Sequence, residues 1–146
     1  MHRTARLLAA IAASLLAVTI VGELSGGRAV ASAGGATEVT VNTWLTGWVA
    51  RRDGFHLYRE NDTVRAPVVV WPDLRGEKVW ARLEWRRAGR SWAVLDVSSV
   101  RLNLDSRGLF VVRGLPAGYA FRLSARVPAR NGHRADRSSW RYFRVG

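Results

Sequence analysis

The sequence contains no cysteine. That excludes disulfide staples, cysteine nucleophiles, cysteine metal sites and a lipid-bearing cysteine anchor, so any stability outside a cell must come from packing. Lysine is almost missing too: Lys78 stands alone, and arginine carries the positive charge. Acids are few, 11 Asp and Glu against 23 Lys and Arg, which leaves a formal net charge of +12. Such a balance favours attraction to anionic polymers without selecting one. After the N-terminal segment only His56 and His133 remain, so histidine chemistry has little to draw on. Past residue 37 no amphipathic helical pattern of useful length occurs.

The first residues, "MHRTARLLAAIAASLLAVTIVG", place Arg3 and Arg6 before an apolar run, and Ala31-Ser32-Ala33 follows as a small-residue cleavage site. That order predicts a secretory signal peptide over residues 1–33, cut near Ala33. The two arginines are not adjacent, so this is not a twin-arginine signal. Residues 34–37 are expected to be a flexible start and 38–146 a single domain, exported to the cell exterior or wall. Membrane attachment would follow only if the leader stayed on.

The remainder reads as short strands between turns. Glu38 to Trp44 alternates. Thr46 to Arg51 and Phe55 to Arg59 flank Asp53-Gly54, a hairpin turn. Pro67 and Pro72 are expected to bound a strand, because proline donates nothing to a ladder. In "KVWARLEWRRAGRSWAVLDV" a tip at Ala88-Gly89 would set Trp85 opposite Trp92 and Leu83 opposite Val94. Trp85, Trp92 and Val94 would then point inward and Trp80 outward. A turn is expected from Asp105 to Gly108. Tyr119, Phe121, Leu123, Ala125 and Val127 fall on alternate positions and predict a core-facing row, with Arg122 and Arg126 on the wet side.

Three pieces, "VWARLEWRRAGRSWAVLD", "LDSRGLFVVRGLPAGYAFRLSA" and the closing "SWRYFRV", resemble an immunoglobulin-like or fibronectin type III-like domain of secreted bacterial proteins. The resemblance implies an all-β, antiparallel sandwich of about seven to nine strands. It also implies that Tyr119, as the corner tyrosine, bonds back to upstream backbone. It says almost nothing about function.

The candidate contact residues are Trp44, Trp48, Trp80, Arg82, Arg86, Arg122 and Arg126. Trp44 and Trp48 form a candidate exposed pair. If Arg82, Arg86, Arg122 and Arg126 shared one sheet they would make a basic stripe able to grip carboxylate or phosphate groups. The expected function is a non-catalytic module that binds or supports envelope components, with anionic cell-wall polymer, polysaccharide or another secreted protein as partner. No metal, cofactor or nucleic acid is expected, since no motif for any of them is present. One alternative is a carbohydrate- or protein-binding module using exposed tryptophans. Another is a small secreted hydrolase or inhibitor; His133, Asp136, Ser138 and Ser139 crowd one stretch, but a triad needs a rigid frame.

Overall fold

The alternating stretches fold as strands because each can bury one face and wet the other. The computed structural model describes residues 35–146; the leader and its cleavage site lie outside the described residues. Ten strands and no helix occur among them. One sheet orders β1 (Thr40–Thr43), β4 (Val64–Trp71) and β7 (Arg107–Val112). The larger sheet orders β2 (Ala50–Arg52), β3 (Phe55–Tyr58), β10 (Arg141–Val145), β8 (Ala120–Val127), β5 (Lys78–Arg86) and β6 (Ala93–Arg101). The two-residue β9 (Asp136–Arg137) pairs with β8. Pairings are antiparallel except β3 with β10. This is an all-β sandwich, and the count reaches ten when β2 and β9 are included.

The core lies between the sheets. Val41, Val64, Ala66, Val68, Val70 and Phe110 face Val79, Ala81, Leu83, Phe121, Leu123, Ala125, Val127 and Phe143. The expected row on β8 is all inside from Phe121 to Val127. The Asp53-Gly54 hairpin also forms: both residues have positive φ, and Arg52 pairs with Phe55.

Four local expectations are corrected. Pro67 does not start its strand; β4 begins at Val64. Trp44 N–H donates to Pro67 O at 3.3 Å, and pairing resumes where Thr46 N–H donates to Arg65 O. The proline therefore interrupts one rung of an otherwise regular ladder. Next, the turn after β6 runs from Asn103 to Ser106, not Asp105 to Gly108, because the Asn103 side-chain oxygen accepts from both Asp105 and Arg107 N–H. Tyr119 does not bond back as a corner tyrosine: its ring stacks on Trp85 at 4.9 Å at the head of the inward row. The hydroxyl-to-backbone bond is made by Tyr58, to Thr46 O.

The fourth correction concerns the β5–β6 hairpin. Trp85 pairs with Ala93, not Trp92, and an irregularity between Leu83 and Glu84 sets Leu83 opposite Asp96. Only Gly89 at the tip takes positive φ; Ala88 does not, so the tight mirror-image turn is not built. The slip carries Trp92 to the outer face and leaves Val94 about half exposed.

Gly108 sits inside β7 rather than in a turn. A Cβ there would lie 2.8 Å from a Val100 methyl and 3.2 Å from a Val68 methyl. Gly108→Ala is expected to cost about 1–3 kcal/mol through overpacking, measured by urea unfolding. An unchanged midpoint would mean that Val100 swings clear.

Candidate functional site

The outward positions of β5 and β8 follow from the same alternation that fills the core. Their register sets Trp80 opposite Arg126, Arg82 opposite Ser124, and Glu84 opposite Arg122. Arg82, Arg86, Arg122 and Arg126 therefore share one sheet face. Inward Phe143 and Val145 leave Tyr142 and Arg144 of β10 on that face too.

Its centre is tied up internally. Glu84 points outward yet is buried, with 4% of its surface exposed. Arg82 Nε donates to Glu84 Oε1 and Arg122 Nε to Glu84 Oε2, each at 2.6 Å. Burial pushes the Glu84 carboxyl up, but the hydrogen bonds and charges of Arg122 and Arg82 outweigh it and hold the group below its ordinary range. The Arg122 guanidinium lies 4.7 Å from the Trp92 ring centre and 4.2 Å from that of Trp140. Arg86 covers Trp92 as well, at 4.5 Å. Trp92 then meets Tyr142, Tyr142 meets Phe55, and Arg144 lies over Phe55 at 4.2 Å. Rings and guanidinium groups thus pack side by side across the sheet, held by quadrupole attraction and stacking.

The other candidates sit apart from this array or at its end. Trp44 and Trp48 are both exposed, as expected; Trp44 stands at the end of β1, on the smaller sheet, and Trp48 touches His56 of β3 at 5.3 Å. No ring contact joins them among the described residues. Trp80 is exposed, as expected, and borders a cavity of about 280 Å³ with Arg82, Ser124, Arg126 and Arg137. Trp71 is the most exposed tryptophan, at 72%.

Trp92, Trp140 and Arg137 were not among the sequence candidates. Trp140 and Tyr142 were findable, since inward Phe143 fixes the parity of "SWRYFRV". Trp92 was not, because its face depends on the hairpin slip.

The polar groups near His133 are committed to backbone. Asp136 Oδ2 accepts from Val41 N–H at 2.7 Å, and Ser138 Oγ accepts from Ala125 N–H at 3.0 Å and donates to Ser139 O. His133 is buried, and its Nδ1 reaches only Arg134 O. Among the described residues no group of three His, Cys, Asp or Glu could hold a metal ion. No family model matches the chain, and no curated protein matches it either. Fold and face together define an all-β sandwich with a basic, aromatic outer face on its larger sheet.

Proposed function

We propose that the chain is a secreted, non-catalytic module of the fibronectin III-like kind whose larger sheet binds anionic polymer of the cell envelope. The strand order supports the family reading: β1-β4-β7 stands against β6-β5-β8-β10, and the strand after β5 stays beside it in the larger sheet. The observation that carries the binding reading is the shared face of Arg82, Arg86, Arg122 and Arg126 on β5 and β8, where Glu84 is the one acid. A polymer bearing repeated carboxylate or phosphate groups would meet several arginines at once, each able to make paired hydrogen bonds. Arg126 and Arg86 are exposed, whereas Arg122 is half-buried between two indole rings.

Cosedimentation of the purified protein with isolated cell wall tests this. Binding at about 0.05 M salt should fall several-fold at about 0.5 M, as screening of surface charge requires. Retention that ignores salt would remove the electrostatic reading.

A further inference from the structure

At the β9 end of the same face the arginines are not internally neutralised. Trp80 of β5 lies directly opposite Arg126 of β8, and Arg126 lies directly opposite Arg137 of β9. Two like charges side by side on adjacent strands repel. Neither arginine has an acidic partner among the described residues. Arg126, Arg137, Trp80 and Ser124 all line the cavity of about 280 Å³. Ser124 is 1% exposed, and its Oγ has no hydrogen-bond partner. A buried hydroxyl without a partner is rare unless a ligand or water completes it.

We infer that this cavity is a subsite for one carboxylated sugar unit. The inference rests on the polymer-binding reading of this face and narrows it to a class of ligand. The parts match that class. Trp80, 40% exposed, offers a flat apolar surface to the C–H face of a pyranose ring. Arg126 and Arg137 each carry the planar guanidinium fork that a carboxylate accepts, and its charge would relieve their repulsion. The volume lies near the lower end of small-molecule sites, suited to one ring rather than to a chain. A bare inorganic anion would satisfy the arginines but leave Trp80 and Val97 without a partner.

Isothermal titration of the full chain with digalacturonate, digalactose and inorganic phosphate tests the inference. Digalacturonate should bind saturably and change the tryptophan emission, and digalactose should bind at least ~tenfold more weakly for lack of the arginine contact. Trp80→Ala and Arg126→Gln should each weaken digalacturonate by about tenfold, a loss of the size expected for one stacking or charge-assisted contact. Arg126 is exposed and Trp80 40% exposed, so both variants should stay folded, which a melting curve run beside the titration checks. No binding of digalacturonate, wild-type affinity in both variants, or phosphate binding as tight as the sugar would overturn the inference. Cell-wall cosedimentation run beside it separates the two readings. Salt-sensitive wall binding without digalacturonate binding would sink the subsite alone, whereas salt-insensitive or absent wall binding would sink the polymer reading.

Discussion

Phe121→Ala should lower the unfolding free energy by about 3–5 kcal/mol, the range for removing a large buried ring and leaving a cavity. Phe121 is fully buried in β8, the strand flanked by β5 and β10 in the larger sheet. Its ring stacks on Phe143 at 5.2 Å and tilts against Tyr119 at 6.5 Å, and its register partners are Trp85 and Phe143. No single neighbour can fill the space, because those contacts come from β5, from β10 and from the residue just before β8. Stability of a domain this size is about 5–15 kcal/mol, so the change removes a large share of it. Chemical unfolding with intrinsic fluorescence would measure it. Phe121→Leu should retain most of the stability, since it keeps apolar volume. A loss under about 1 kcal/mol for the alanine variant would contradict the sandwich core.

Glu84→Gln should cost about 3 kcal/mol at neutral pH, the lower end for removing one partner of a buried ion pair. The lower end applies because Arg82 is half exposed and can reach water, while Arg122 keeps its two indole rings. The loss comes from Arg122, whose side chain is only 22% exposed and would lose its counter-charge. The same variant tests the titration. The folded state holds Glu84 below its ordinary range, because Arg122 and Arg82 outweigh the upward push of burial. Folding therefore favours the ionised form. That contribution is complete above the unfolded pKa, near 4 by the usual glutamate value of about 4.3, and is lost as pH falls through the folded value. The gap between wild type and Glu84→Gln should thus be widest near neutrality and close in acid. A gap that stayed constant down to about pH 3 would mean that the Glu84 charge has no role.

The β8 row from Phe121 to Val127 could be read directly, as could the Asp53-Gly54 turn and the outward direction of Arg82, Arg86, Arg122 and Arg126. Each depends only on residues near in sequence: alternation sets which side a residue faces, and Asp-Gly tolerates positive φ. Glu84 was legible as outward but not as buried. Its burial needs Arg122, 38 positions away, to close over it.

Sequence alone determined the all-β class, the two-faced character of β5 and β8 and the excess of arginine over acid. Those are local properties, written in side-chain order and turn chemistry. Tertiary structure decided the rest: that Trp92 leaves the core, that Trp140 and Trp92 clasp Arg122, and that Trp80, Arg126 and Arg137 line up across three strands. Cross-strand neighbours are set by register. A one-residue slip at Ala88-Gly89 and an irregularity at Leu83-Glu84 change every pairing beyond them, and the irregularity puts Val94 on the face of Glu84 but Asp96 on the face of Leu83.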